Sequence, residues 1–256
     1  MKLDLEKSFS FVFKDNSWVN KLIAGGGVII STYLIFLMPI FVYIFSASII
    51  LTIVSFLLSF VLSMLLSCAI SGFVAETANK RINYRNSILP DWSEFGRLIV
   101  SGVKYFVGYF LYSIPIITLA IVFIMLLTFY VGQGVGAESL YNPVTFMAMV
   151  LLGAIFLFAI ILYSVFCPLM MANFYKDLKI VSFVDFSSAF KMLKNNGSNY
   201  FVMILIFIAL SFLFQAVCSL LVVSVVGVVL IPILYFYLYL VVAEIIAQFV
   251  LASRDE

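Results

Sequence analysis

The side chains able to do chemistry are few, and their spacing narrows what they can do. There is no histidine in the 256 residues, which removes the usual general base and the commonest metal ligand. The most regular polar feature is a row of serines, Ser55, Ser59, Ser63, Ser67 and Ser71, each four residues from the next. On a helix such a row drifts about 40° per step, so it winds slowly around the axis. Small residues in that arrangement let a second helix approach closely, which is the favoured reading. A solute path lined with hydroxyls is the alternative.

Glu244 stands alone in a long apolar run, where an ionisable group is costly and therefore a functional suspect. Counted from a helix start near residue 227 it lies about 26 Å along the axis, close to one edge of a hydrocarbon core ~30 Å thick. An interfacial or partner-paired carboxylate is preferred to a proton or cation site. Glu76 and Asn173 end two other apolar runs, and with Glu244 they could form a polar ring at one mouth of a bundle. Gln215 and Gln248 read as inter-helix hydrogen bonders.

Cys68, Cys167 and Cys218 sit inside apolar runs without CxxC spacing and read as packing residues. Gly25-Gly26-Gly27 has no nucleotide-binding context and reads as close packing or a flexible helix start. Pro39, Pro115, Pro168 and Pro232 read as tolerated kinks, because neighbouring helices can satisfy the carbonyls they free. Nothing pairs a nucleophile with a base, and no catalytic residue, cofactor or metal site is expected.

The elements that position these groups follow from composition. The chain is 65% hydrophobic and 10% charged, with mean hydropathy +1.24, against roughly 25% charged in soluble domains. Runs that are uniformly apolar argue against a β-barrel, whose strands alternate. The expected class is all-α: a polytopic integral membrane helical bundle forming one domain over 1–256.

The 54 residues between Lys21 and Glu76 carry no charge, nor do the 49 between Lys194 and Glu244. At about 20 residues per span each run holds two helices. Six transmembrane helices result, at about 20–44, 48–75, 103–130, 144–172, 200–223 and 227–249, with a polar loop around Glu138 between the third and fourth. Segments 1–21, 76–104, 173–199 and 250–256 then hold all 14 Lys and Arg. By the positive-inside rule these segments and both termini are cytoplasmic, in a multi-pass cell membrane protein. No cleavage-site pattern follows a short apolar region, so an uncleaved first helix is expected.

The segments 1–19, 76–102 and 173–199 are expected to carry interfacial amphipathic helices. In the first, Phe9, Phe11 and Phe13 alternate, and Asp15 and Ser17 offer caps before Trp18. Asp91 and Glu94 are spaced as a capping-box variant, and Trp92, Phe95 and Ile99 share a helix face. Phe183, Phe186, Phe190 and Leu193 repeat that spacing after Asp185. These faces would either sink into the headgroup boundary or pack on the ends of the bundle. Val74-Ala75-Glu76, Met171-Ala172-Asn173 and Val242-Ala243-Glu244 echo one another and suggest three hairpin repeats.

The block GFVAETANKRINYRNSILPDWSEFGRLIVSGVKYFVGYFLYSIP and the opening FSFVFKDNSWVNKLIAGGG resemble the uncharacterised prokaryotic membrane family catalogued as domain-of-unknown-function family 4013. The resemblance rests on Phe13, Asp15, Trp18, Lys21, Gly25, Leu89, Pro90, Trp92, Phe95, Gly96, Gly102, Lys104 and Pro115. It is good over residues 9–118 and diffuse beyond. It implies a multi-spanning prokaryotic plasma-membrane protein and transfers no catalytic or binding residue.

Three functions compete on these observations. The leading expectation is a non-enzymatic, membrane-embedded partner or scaffold, docking through Asp91, Trp92, Phe95, Arg97 and Lys104. The rival is a small-solute or ion permease; a lipid-modifying enzyme of the inner leaflet is remote. Expected partners are membrane lipids and a protein partner or second copy, with no nucleic acid.

Overall fold

The computed structural model describes residues 3–84, 89–132 and 143–253. It is all-helical: α1 (Leu5–Ser10), α2 (Trp18–Ser46), α3 (Ile49–Tyr84), α4 (Phe95–Gly132), α5 (Pro143–Asp177), α6 (Phe186–Leu221) and α7 (Val225–Ala252). Short 3-10 turns precede α2, α4 and α6. The helices α2 to α7 are each long and apolar enough to cross a membrane, and together they suggest a multi-pass membrane protein. The loop expected around Glu138 lies outside the described residues.

Several of these helices outrun the expected spans, α3, α4 and α6 by the most. The continuous helix α3 extends to Tyr84, and α4 begins at Phe95, so the stretch after Asp91 is the first turns of a long helix. In α6 the backbone breaks at Asn196 (φ −135°, ψ 35°), which separates its polar first turns from the apolar remainder. Chain reversal between α2 and α3 uses only Ala47 and Ser48, with Ala47 left-handed at φ 49°.

Burial is uneven along the bundle. A third (33%) of α7's most apolar stretch lies inside the protein, and none (0%) of α5's. Helix α7 packs against α1, α2, α3, α5 and α6, while α3 packs against α2, α4, α5 and α7. These two form the interior. Most fully buried side chains, among them Phe73, Phe174, Phe183, Phe236 and Phe249, lie toward the end that carries the basic residues.

Helix α3 meets α4 backbone to backbone. A Cβ on Gly72 would stand 1.8 Å from the Leu98 carbonyl oxygen, and one on Gly102 would stand 1.8 Å from that of Cys68. Only glycine permits this approach, the small-residue logic of membrane helix pairs. Gly25 and Gly26 serve α2 in the same way against Phe236 and Ile233 of α7, whereas Gly27 faces open space. Pro168 removes a donor from α5, and Tyr200 of α6 donates its hydroxyl to the Val165 carbonyl beside the break.

Candidate functional site

Between α2, α3, α4, α5 and α7 lies a cavity of about 480 Å³, within the size range of small-molecule sites. Helical periodicity supplies its walls. Ser67, Ser71 and Val74 fall at i, i+4 and i+7 on α3, and Tyr235, Tyr239 and Val242 repeat that spacing on α7. Thr32 and Tyr33 come from α2, Tyr105 and Phe106 from α4, and Met171 and Tyr175 from α5. Eight of the lining residues carry hydroxyls and none carries a charge.

Thr32 donates its hydroxyl back to Val28. Among the described residues, the hydroxyls of Tyr33, Tyr105, Tyr175, Tyr235, Tyr239, Ser67 and Ser71 make no hydrogen bond to protein. Each can both donate and accept. An uncharged wall of this kind suits neutral polar groups better than ions, because a bare charge there would cost several kcal/mol.

The serine row divides between its two readings. Ser59 and Ser63 are buried, and Ser63 reaches toward the Thr32 carbonyl of α2 at 3.5 Å, as close packing requires. Ser67 and Ser71, further around the slowly drifting row, line the cavity. Ser55 bonds its own helix at Thr52.

Glu76, Asn173 and Glu244 are all buried, at 8, 3 and 1% exposure, each two residues beyond a cavity-lining position. Two residues are about 200° of helix rotation, so these groups turn away from the cavity and pair elsewhere. Glu244 accepts from Arg81 Nε of α3 at 2.9 Å and from Gln248 Nε2 at 3.3 Å. Gln248 in turn holds α1, donating to Ser8 Oγ and accepting from the Asp4 N–H. Glu76 accepts from Ser101 Oγ at 2.8 Å and pairs with Arg97 at 3.0 Å. Asn173 donates to the Asp185 carbonyl and accepts from Ser188. The expected ring is thus a girdle of separate inter-helix ties at one level. Glu244 Oε2 is buried without a partner among the described residues.

The residues expected at a docking face divide likewise. Asp91 accepts from the Ser93 N–H and caps the turn ahead of α4. Glu94, instead of completing a capping box, pairs with Arg97 at 2.6 Å. Trp92 turns inward: its indole donates to the Lys21 carbonyl at 3.1 Å, and its ring stacks on Phe73 with centroids 4.6 Å apart. Phe95 and Lys104 stay exposed. The buried side of α4's first turns is Leu98, Ser101 and Gly102, so the Trp92–Phe95–Ile99 face is not a single surface. On α6 the expected apolar face is likewise split. Phe183 is fully buried in the turn before the helix, against Tyr105 and Phe174. Phe186 and Phe190 point outward, and Ala189, Met192 and Asn196 point in.

Sequence reasoning missed the tightest constellation. Asp15 Oδ2 pairs with Lys21 Nζ at 2.8 Å and accepts from the Leu89 N–H at 3.1 Å, while Lys21 Nζ donates to the Leu89 carbonyl at 3.1 Å. Asp15 Oδ1 takes the N–H and hydroxyl of Ser17. Burial works to raise the Asp15 pKa, but the hydrogen bonds from Lys21 and Ser17 and the lysine charge outweigh it, and the carboxyl titrates below its ordinary value of 3.8. From the sequence Asp15 reads as a helix cap and a residue of the family resemblance, and Arg81 has no assigned role. The signal available was that Lys21 and Glu244, at opposite ends of apolar runs, each need a counter-charge.

The family described as "Protein of unknown function (DUF4013)" matches residues 55–223. The chain belongs to this family. The match begins after the opening segment 9–54, runs well past residue 118, where the resemblance read from the sequence fades, and covers α3 from Ser55 onward and α4 to α6, with the Gly72–Gly102 contact. Within this DUF4013 protein the cavity is shared between the matched segment and helices α2 and α7 outside it. No curated protein and no solved structure matches the chain.

Proposed function

We propose that this protein is a non-enzymatic, multi-pass cell membrane protein that binds a small neutral solute in the five-helix cavity and acts as a permease or permease subunit. The single observation that carries this reading is the uncharged wall of hydroxyls in a cavity of about 480 Å³ among apolar helices. We place the basic end of the bundle, with both termini, in the cytoplasm by the positive-inside rule, and read the three helix pairs as hairpin repeats. The echoes support that reading because Ala75, Ala172 and Ala243 are all fully buried in α3, α5 and α7, three helices in mutual contact.

Proteoliposomes loaded with buffer and challenged with glycerol, urea or a four-carbon polyol test the proposal through light scattering. At least one solute is expected to enter faster than into protein-free vesicles, and Ser71→Trp, which fills the cavity, is expected to abolish the difference. Entry indistinguishable from protein-free vesicles, with no shift in melting temperature on adding any of the solutes, would sink it.

A partner-subunit role is the second reading, favoured by Phe95 and Lys104, which remain exposed at the start of α4. Affinity capture from gently solubilised membranes should then return one recurring protein with the native chain and lose it with Phe95→Ser. Trp92, turned inward, adds little to that surface, whereas Arg97 stays exposed there while pairing with Glu76 and Glu94.

A further inference from the structure

We propose that the first turns of α6, with the turn before them, form a binding face for an anionic phospholipid. The face is inside out by the standards of a soluble protein. Val181, Phe186 and Phe190 are 72, 53 and 59% exposed, while Ala189, Met192 and Asn196 on the opposite side are buried. Phe186, Phe190 and Lys194 follow at four-residue intervals and so rise along one outward face, with Lys191 exposed beside them. Aromatics next to lysines on an exposed helical surface match a headgroup boundary: rings among the upper acyl carbons, ammonium groups at the phosphates.

Charge complementarity fixes the sign of the partner. Lys191 and Lys194 make no hydrogen bond or ion pair with a described residue. The two nearby carboxylates are engaged: Asp185 accepts from the Ser188 N–H as the helix cap, and Asp177 accepts from Ser182 Oγ at 2.8 Å and from the Lys179 N–H. The break at Asn196 decouples these turns from the rest of α6, so they need not follow its axis into the hydrocarbon. The opposite end of α6 has no lysine or arginine after Lys194, which confines the face to one leaflet.

The test uses the full chain in a neutral detergent, with phosphatidylglycerol, phosphatidylcholine or inorganic phosphate added and the melting temperature followed. Phosphatidylglycerol is expected to raise it in a saturable way, phosphatidylcholine and phosphate are not. Each of Lys191→Gln and Lys194→Gln is expected to weaken the apparent phosphatidylglycerol affinity roughly five-fold, and Lys194→Arg to retain it. Phe190→Ser should weaken it without altering the preference for charge. Equal stabilisation by phosphatidylcholine, reproduction of the effect by phosphate alone, or full affinity in the Lys191→Gln/Lys194→Gln pair would each overturn the proposal. Both lysines are exposed, so the variants fold, and Lys14→Gln serves as a charge-matched control.

Discussion

At the end of the bundle that carries the basic residues, polar side chains bond across helices: Lys21 and Asp15 to the Leu89 backbone, Arg81 to Glu244, Arg97 and Ser101 to Glu76, and Ser188 to Asn173. At the other end the hydroxyls of Ser46, Thr52, Thr118, Thr128, Ser211 and Ser219 all bond back to their own helix. The difference follows from the solvent. Lipid tails are as apolar as leucine, so apolar contact between helices gains little, and specificity falls to small residues and polar ties. The charged ties are gathered at one end, and beyond them only neutral ones continue across helices, such as Tyr112 to the Tyr163 carbonyl and Ser113 to the Tyr163 hydroxyl. The cavity sits where the charged ties give way to hydroxyls, between residues 29–33 and 67–74 on one hairpin and 235–242 on α7.

The sharpest way to break the contrast is Lys21→Met. It leaves the Asp15 carboxylate buried without its cation, and removing one partner of such a pair costs about 3–5 kcal/mol. Thermal unfolding in detergent should show the loss, and Asp15→Leu added to Lys21→Met should restore much of it. A single variant as stable as the native chain would mean the knot contributes nothing.

Two carboxylates at the same end sharpen the comparison further. Asp15 has both oxygens engaged, by four donors, so Asp15→Asn sets an amide donor against donors and should cost about 1–3 kcal/mol. Glu244 has one oxygen unpartnered, so Glu244→Gln can turn its amide to that side and keep the Arg81 bond; a smaller loss is expected. The pH dependence separates them from a trivial effect. Since the Asp15 carboxyl titrates below 3.8 in the folded protein, its contribution is complete above that pH and disappears as pH falls through the lower folded value. Asp15→Asn should therefore narrow its stability gap to the native chain in acid. A gap that stays constant down to full protonation would contradict the assignment.

Much of this contrast was legible from composition, and some was not. Charge-free runs and the confinement of Lys and Arg point to six long helices, because a spanning segment is recognisable by its length and hydropathy alone. Asp91 is legible as a helix-start residue because its cap is a local interaction with the Ser93 N–H. The Asp15–Lys21–Leu89 knot was hidden because Leu89 lies 68 residues from Lys21 and each member has an adequate local explanation. The splitting of each aromatic set between inside and outside, Trp92 from Phe95 and Phe183 from Phe186, was hidden for a related reason. In a bundle surrounded by lipid, aromatic residues do not reveal which side of a helix faces protein, whereas Gly72, Gly102 and Ala189 do. The cavity was half visible in the serine row, but the five tyrosines that complete it come from four helices with no common spacing.

Gly72→Ala tests the small-residue half of the argument. Its Cβ would lie 1.8 Å from a backbone oxygen, which no side-chain rotation relieves, so α3 and α4 must separate at a cost of about 1–3 kcal/mol. Gly27→Ala, on open space, supplies the neutral counterpart.

The smallest expected effect decides whether the opposite end is held by packing at all. Leu57 and Leu58 on α3 are 59 and 54% exposed, and in lipid that exposure is no penalty. Replacing either with alanine removes contacts mainly with acyl chains, so stability in lipid nanodiscs should change by less than about 0.5 kcal/mol. A loss of the size found for core truncations, about 2–5 kcal/mol, would show these side chains buried against protein in the membrane. The loose end would then belong to an interface with another chain, and the contrast between the two ends would describe the single chain without describing its assembled form.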